Sequence, residues 1–289
     1  MRILILGCTG QVGWEAQRSL STLGEVIALD YPDVDFTRPE QVKNLVDEVR
    51  PQVIYNAVAY TAVDKAESEV ERVRLINATS VGVLAEAAAR LGAALIHFST
   101  DYVFDGTKGR AYVETDAPNP LNAYGLTKLE GEQEVQQVDC AYLILRTAWV
   151  YSMRRDSFIA KVQQWAKDRS TLRVVADQVS NPTWSRSLAD ITGQLIARGG
   201  DDLTGWIKEH RGVYHLAGDG CASRWDWAQA ILNNQPLDHP VEVVPAASSE
   251  FPSPADRPLY SALDCGLFSR TFHLQLPHWE KALQLAMQV

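Results

Sequence analysis

No apolar run in the chain approaches the roughly 20 residues that a membrane-spanning helix needs, so a helical span is excluded. Positive charge is in deficit: 27 Lys and Arg stand against 36 Asp and Glu, a formal net charge of −9. Duplex binding relies on a basic face that displaces counterions, so no nucleic-acid partner is expected. Cysteine is scarce. Cys8, Cys140, Cys221 and Cys265 are scattered with no pair at metal-ligand or redox spacing, and they read as structural thiols in a reducing cytoplasm. There is no low-complexity tract and no repeat. The apolar run Ile3-Leu4-Ile5-Leu6 near Met1 is too short for a signal peptide and lacks a good cleavage site, so it reads as a first strand.

What is present is an alternation of strand-like and helix-like runs. Arg2–Leu6, Val26–Leu29, Val53–Asn56, Ala94–Ser99 and Tyr142–Arg146 are short and apolar on both faces, as buried parallel strands should be. Gly13–Leu23, Pro39–Val49, Val73–Leu91 and Asn122–Val138 carry helical patterns between or after them. Repeated βα units of this length predict an α/β fold, a Rossmann-like doubly wound parallel sheet. Residues 1–150 are expected to form the dinucleotide-binding domain, and 151–289 mostly a smaller, interleaved substrate-binding domain. In the second half, Phe158–Asp168, Ser185–Ala197, Arg224–Leu232 and His278–Met287 read as helices. Arg173–Ala176 and Val213–Ala217 read as strands expected to join the main sheet, and Pro236 to Pro258 is a Pro-rich stretch.

The first strand ends in Gly7-Cys8-Thr9-Gly10-Gln11-Val12-Gly13, a G-x-x-G-x-x-G loop. Glycine lets the backbone turn sharply and approach a pyrophosphate, while a helix N-terminus presents free N–H groups to that anion. A glycine triplet alone is weak evidence, but this one follows a buried strand and opens a helix. Asp30 closes the second strand 17 residues after Gly13, where a carboxylate accepts from the ribose hydroxyls. The expected cofactor is NADPH or NADH. Asp30 leans towards NADH, because a carboxylate repels a 2′-phosphate. Asp35 and Phe36 are expected to flank the adenine, and Ala57, Ala59, Tyr60 and Thr61 follow the third strand where loops meet cofactor.

Phe98-Ser99-Thr100-Asp101-Tyr102-Val103-Phe104 follows the fourth strand, and Tyr124-Gly125-Leu126-Thr127-Lys128 begins 24 residues past Thr100. On a helix, i and i+4 share a face, so phenol and ammonium point into one cleft. A nearby cation is expected to lower the Tyr124 pKa and ready it for proton transfer, with Thr100 orienting the substrate oxygen. A Tyr-x-x-x-Lys pair arises often by chance; its place after a dinucleotide loop and a strand-end Ser-Thr gives it meaning.

These segments resemble the extended short-chain dehydrogenase/reductases. Further matches are Gly10-Gln11-Val12-Gly13-Trp14-Glu15, Tyr60-Thr61-Ala62-Val63-Asp64-Lys65-Ala66-Glu67, Arg146-Thr147-Ala148-Trp149-Val150-Tyr151 and Pro254-Ala255-Asp256-Arg257-Pro258. They extend the resemblance over essentially the whole chain and narrow it to the branch that reduces dTDP-4-keto-deoxysugars. The resemblance implies reduction of the 4-keto group of dTDP-4-dehydro-6-deoxy-L-mannose to dTDP-L-rhamnose. In that scheme Tyr124 donates the proton, Lys128 holds the nicotinamide ribose, and Thr100 binds the oxygen. It places Val63, Asp101, Tyr102 and Trp149 against the sugar, although Trp149 also suits simple core packing. Arg257 is the candidate for the substrate diphosphate, because guanidinium matches phosphate bidentately; the alternative is a solvated loop arginine.

Some members of this family are dimers held by magnesium on glutamates. Glu15 matches one of these, but Arg186 stands where a second carboxylate is expected, and a guanidinium repels a divalent cation. The expectation is a monomer or weak homodimer with no intersubunit metal and no metal in the chemistry. Two alternatives share the cofactor loop. One is another nucleotide-sugar enzyme such as an epimerase, a GDP-fucose synthase or a 4,6-dehydratase, the last of which needs an Asp-Glu pair where Asp101-Tyr102 stands. The other is a non-catalytic regulatory subunit like the beta subunit of methionine adenosyltransferase, which need not keep Thr100, Tyr124 and Lys128.

Overall fold

Short runs of Val, Ile and Leu build a central sheet that is covered on both sides. The computed structural model describes residues 1–154 and 157–288; Arg155, Asp156 and Val289 lie outside the described residues. The first half runs β1 (Arg2–Leu6), α1 (Gln11–Leu20), β2 (Glu25–Leu29), α2 (Pro39–Val49), β3 (Val53–Asn56), α3 (Val63–Ala66) and α4 (Val70–Arg74). A π-helical turn (Leu75–Thr79) leads to α5 (Ser80–Leu91), β4 (Ala94–Thr100), α6 (Ala123–Gln136) and β5 (Ala141–Thr147). The second half holds β6 (Val150–Tyr151), α7 (Phe158–Asp168), β7 (Thr171–Val175), β8 (Val179–Ser180), β9 (Thr183–Trp184), α8 (Ser185–Arg198) and α9 (Leu203–Glu209). It continues with β10 (Gly212–His215), β11 (Ala222–Ser223), α10 (Arg224–Asn233), β12 (Glu242–Ala246), α11 (Gly266–Phe272) and α12 (Trp279–Met287).

The main sheet is six-stranded in the order β10-β5-β4-β3-β1-β2, and every pairing in it is parallel. One face packs Ile3, Ile5 and Tyr55 against Leu188, Leu195, Ile207 and Phe268 from α8, α9 and α11. The other packs Leu4, Leu6 and Ile54 against Val42, Val46, Leu84 and Ala88 from α2 and α5. Burial on both faces explains why these strands read as continuous apolar runs. The doubly wound α/β reading is borne out. Among the described residues no helix is long and apolar enough to cross a membrane.

Two expectations need correction. The segment read as a strand over Arg173–Ala176 does not join the main sheet: β7 pairs in parallel with β12, in a separate two-stranded sheet. Its burial alternates, with Leu172 and Val174 inward and Thr171 and Arg173 exposed. That is the signature of a strand covered on one face, whereas a central parallel strand is covered on both. Its buried side faces a third apolar cluster containing Trp227, Ile231, Trp279 and Leu283. The helix expected over Val73–Leu91 is interrupted by the π-helical turn. The wide turn projects Asn77, fully buried, whose Oδ1 accepts from Tyr60 N at 2.8 Å and whose Nδ2 donates to Thr127 Oγ1 at 3.2 Å. Such bulges recur where a side chain must be aimed at a site.

His215 ends β10 in full burial. Its Nδ1 lies 3.0 Å from Tyr112 O, and its Nε2 has no partner. Burial and then the neighbouring Arg146 charge push its pKa down to about 3. The imidazole stays neutral when folded, so its contribution to stability is present above the ordinary value of about 6.5 and is lost as pH falls towards 3. Up to about 1.4 kcal/mol per pH unit should drain from this one group across that window. Urea denaturation of wild type and His215→Gln should show the wild-type advantage shrinking with acid; a constant difference would refute the assignment.

Candidate active site

Gly7 leaves β1 with a φ of +82°, and an added Cβ would lie 2.9 Å from the Ala57 backbone. A side chain is therefore barred both by conformation and by the adjoining strand end. Gly13 sits where a Cβ would fall 2.2 Å from Gly7 O, so the loop closes tightly onto α1. Gly10, the N-cap of α1, offers no side-chain hydrogen bond, which leaves the first-turn N–H groups for an anion. Thr9 splints the loop to the end of β2: its N and Oγ1 both donate to Asp30 Oδ2, at 2.9 and 2.6 Å.

These elements line a cavity of about 620 Å³ whose wall includes Gly7, Gly10, Gln11, Val12, Asp30, Ala57, Ala59, Thr61, Tyr124 and Lys128. A hollow of about 580 Å³ shares Asp30, Val58 and Ala59 with it and adds Asp35, Phe36 and Tyr60. Asp35 accepts from Thr37 N and Oγ1 at 2.8 and 2.6 Å, bonds that hold its carboxyl below the usual range. Phe36 is largely buried in the core. Two lining side chains, Gln11 and Thr147, bury an oxygen without a protein partner. Orphaned polar atoms in a cavity of this volume, adjoining a second hollow, fit a large polar ligand such as a dinucleotide.

Across the same cavity stands the start of α6. Asn122 Oδ1 caps the helix by accepting from Gly125 N at 2.8 Å. Gly125 lets the helix approach the preceding turn, since a Cβ there would lie 2.1 Å from Tyr102 O. Tyr124 and Lys128 both reach the cavity wall, and the Thr100 hydroxyl is within hydrogen-bonding reach of the Tyr124 phenol. The expected lowering of the Tyr124 pKa is not found. Burial pushes the phenol up and outweighs the Thr100 contact, while the Lys128 amine turns towards Phe98 O at 2.7 Å and His97 Nε2 at 3.2 Å. A phenol kept protonated is the form a proton donor needs.

One turn beyond Lys128, Glu132 meets Arg146 of β5 in a bidentate pair, Nε–Oε1 at 2.9 Å and Nη2–Oε2 at 2.7 Å. Ser99 of β4 also donates to Glu132. Both charges are almost fully buried. Sequence reading passed over Glu132, which belongs to no recognisable spacing, and gave Arg146 no role beyond its place in the Arg146–Tyr151 match.

On the far side of Tyr124 the C-terminal residues converge. Trp149, at a φ of +38°, stacks on Trp227 at 5.7 Å between centroids, and the Arg224 guanidinium covers its ring at 3.5 Å. The indole thus packs against the third apolar cluster with a cation over its ring. Arg257 is tied by Nη2 to Asp64 Oδ2 at 2.9 Å and by Nη1 to Ala255 O at 3.1 Å, so its guanidinium is held in one orientation and is not a freely solvated loop arginine. Its loop is anchored by Asn122 Nδ2 to Asp256 O at 2.7 Å. Tyr102 faces Tyr124 edge-on at 5.8 Å and interacts with both Arg224 and Arg257. Asp101 is turned into the protein: its Oδ2 accepts from Ser180 at 2.9 Å and from Ser261 at 2.5 Å, leaving it to brace the site from below. Val63 opens α3 beside Asp64. Arg224 is a further residue that reading the sequence missed; it follows no motif and is brought in by α10.

The profile of the RmlD substrate binding domain matches residues 1–289. The chain belongs to this family. A dTDP-4-dehydrorhamnose reductase from Burkholderia thailandensis is 41% identical over 100% of this chain and 98% of its own length. One from Salmonella typhimurium is 43% identical over 97% and 95%. Among solved structures, a dTDP-4-dehydrorhamnose reductase from Clostridium acetobutylicum superimposes with a TM-score of 0.92 at 36% identity, covering 100% and 99% of the two chains. One from Bacillus anthracis, in complex with NADP, gives 0.90 at 33% identity, covering 99% and 98%. The RmlD family membership bears out the resemblance drawn from the Thr61–Glu67 run and the Trp149 segment.

In this RmlD-family chain, Gly13→Ala should weaken NADPH or NADH binding at least about tenfold, roughly 1.4 kcal/mol, because the methyl must displace the loop backbone. Fluorescence titration checks it, and an unchanged Kd would show that the loop does not hold the cofactor. Glu132→Ala strands the buried Arg146 charge and should cost about 3–5 kcal/mol in urea unfolding; a loss below about 1 kcal/mol would mean that the pair is solvated.

Proposed function

We propose that this enzyme reduces the 4-keto group of dTDP-4-dehydro-6-deoxy-L-mannose to give dTDP-L-rhamnose, with NADPH or NADH as the reductant. The observation that carries the reading is the placement of Tyr124, beside Thr100 and one turn before Lys128, on the wall of the cavity that the glycine loop also lines. When bound, the reduced nicotinamide supplies a hydride to the carbonyl carbon. Tyr124 gives its phenolic proton to the carbonyl oxygen, which becomes the product hydroxyl, and Thr100 orients that oxygen. Lys128 holds the nicotinamide ribose. Gly7, Gly10, Gln11, Val12 and Gly13 hold the pyrophosphate, and Asp30 holds the adenosine ribose.

The substrate lies on the other side of Tyr124, against Val63, Tyr102 and Trp149. Arg257 and Arg224 serve the diphosphate, with Asp64 holding the Arg257 guanidinium in place. Asp101 supports this wall through Ser180 and Ser261. Arg186, at 3.8 Å from Asp190, keeps a cation where the family's metal-bridged dimers need a carboxylate, so we infer a monomer or weak homodimer without metal. Free thiols at Cys8, Cys140, Cys221 and Cys265 suit a reducing cytoplasm.

Tyr124→Phe separates binding from chemistry. The variant should bind cofactor with unchanged affinity and lose roughly 10²–10⁴-fold in kcat, followed by NADPH and NADH oxidation with the dTDP-4-keto sugar made enzymatically from dTDP-glucose. Full activity in the variant would refute the mechanism, and wild-type inactivity on that sugar would refute the substrate.

A further inference from the structure

Lys128 is buried to 1% exposure, and His97 beneath it is fully buried. The hydrogen bonds around them have a direction that can be deduced link by link. Asn56 Oδ1 accepts from Val58 N at 3.1 Å, which fixes its amide and leaves Nδ2 facing His97 Nδ1 at 3.0 Å. An amide NH₂ only donates. His97 Nδ1 must therefore be the acceptor, and the neutral ring carries its proton on Nε2. That N–H points at Lys128 Nζ, 3.2 Å away. An ammonium has three donors and no acceptor, so only the neutral amine can receive it. Lys128 then donates onward to Phe98 O at 2.7 Å. Every link from Val58 to Phe98 is satisfied with Lys128 neutral, and one link opposes two donors if it is charged.

We propose that His97 is a positioning residue that stores Lys128 as a neutral amine beneath the cofactor cavity, so that cofactor binding draws a proton onto it. The inference rests on the cavity being the cofactor site. Ribose hydroxyl oxygens accept from an ammonium, so Lys128 leaves His97 for the ribose and takes one proton from solvent; the ammonium so formed is the species that supports Tyr124.

The surroundings agree. Glu132, on the same helix, favours the ammonium, but its oxygens are engaged by Arg146 of β5 and Ser99 of β4. Tyr124 is kept protonated by burial. Asp101, on the turn after β4, is held by Ser180 and Ser261. The π-helical turn presents only neutral Asn77, and α4 presents Arg74, which is paired to Glu130 at 2.9 Å. From α3, Asp64 is paired with Arg257, and beyond its end Glu67 accepts from Ala123 N at 2.8 Å. Burial holds the Lys128 pKa down to about 8, so the neutral amine predominates above that pH, and holds the His97 pKa well below the usual histidine value.

The test is proton linkage. NADH, which has no titrating 2′-phosphate, is bound to the full-length protein at about pH 8.5 in buffers of different ionisation enthalpy. Wild type should take up about half a proton or more per NADH. His97→Gln, whose carbonyl can turn to accept from an ammonium, should cut the uptake by more than half, and Asn56→Leu, which frees the ring to exchange its proton, should do the same. Long-range ¹H–¹⁵N spectra of wild type should place the His97 proton on Nε2. NADH binding without proton uptake, or a proton on Nδ1, would overturn this proposal alone. Failure of both NADH and NADPH to bind would overturn the cofactor reading and this proposal with it.

Discussion

The buried pair between Arg146 and Glu132 is the constraint on which the site depends. Two charges removed from water must pair in good geometry to offset their desolvation; here Arg146 Nε and Nη2 are paired while Nη1 is buried without a hydrogen-bond partner. The bidentate fork, with Ser99 on the remaining lone pairs, ties α6 to β4 and β5 at once. A helix tied in this way to two neighbouring strands has its rotation and height fixed relative to the sheet by these bonds. Tyr124 and Lys128, on the two turns before Glu132, inherit that rigidity. The catalytic role proposed for them needs it, because a misplacement of about 1 Å can cost 10²-fold in rate.

The rest of the cleft repeats the device with neutral groups. Asn77 projects from the π-helical turn to hold the Tyr60 backbone and Thr127. Asn122 caps α6 with one end of its amide and anchors the Arg257 loop with the other. Asp101 is consumed by two serines from the second half of the chain. Each of these side chains joins segments far apart in sequence. The Tyr60 segment, α6 and the Arg257 loop are therefore one bonded unit, although three stretches of chain build it.

Much of this was legible beforehand. The two-sided apolar strands predicted the parallel sheet, and the glycine loop and Asp30 stand out in the sequence as motifs, with Gly7, Gly10 and Asp30 lining one cavity in the structure. The Tyr124/Lys128 spacing placed both side chains on one wall. Less regular parts resisted. The strand Thr171–Val175 was legible as a strand but not by its partner, since its one-faced burial reflects a two-stranded sheet with a Pro-containing strand. The break at Leu75–Thr79 carries no glycine or proline and follows from what Asn77 must reach. Arg224 and Glu132 lie in no motif, and only packing reveals where their charges go.

By itself the sequence determined which chemistry is available: a backbone loop for phosphates, a phenol and an amine on one helical face, and a strand-end hydroxyl. Local rules suffice for these, because turn conformation and helical periodicity act over a few residues. Tertiary structure alone decided their protonation and their neighbours. It withdrew the Lys128 amine from the phenol to His97 and buried Tyr124 so that its proton stays. It also tied Arg257 to Asp64 and laid Arg224 over Trp149. The reason is physical: pKa values and ion pairs depend on burial and on charges tens to hundreds of residues away, and no local pattern encodes that distance.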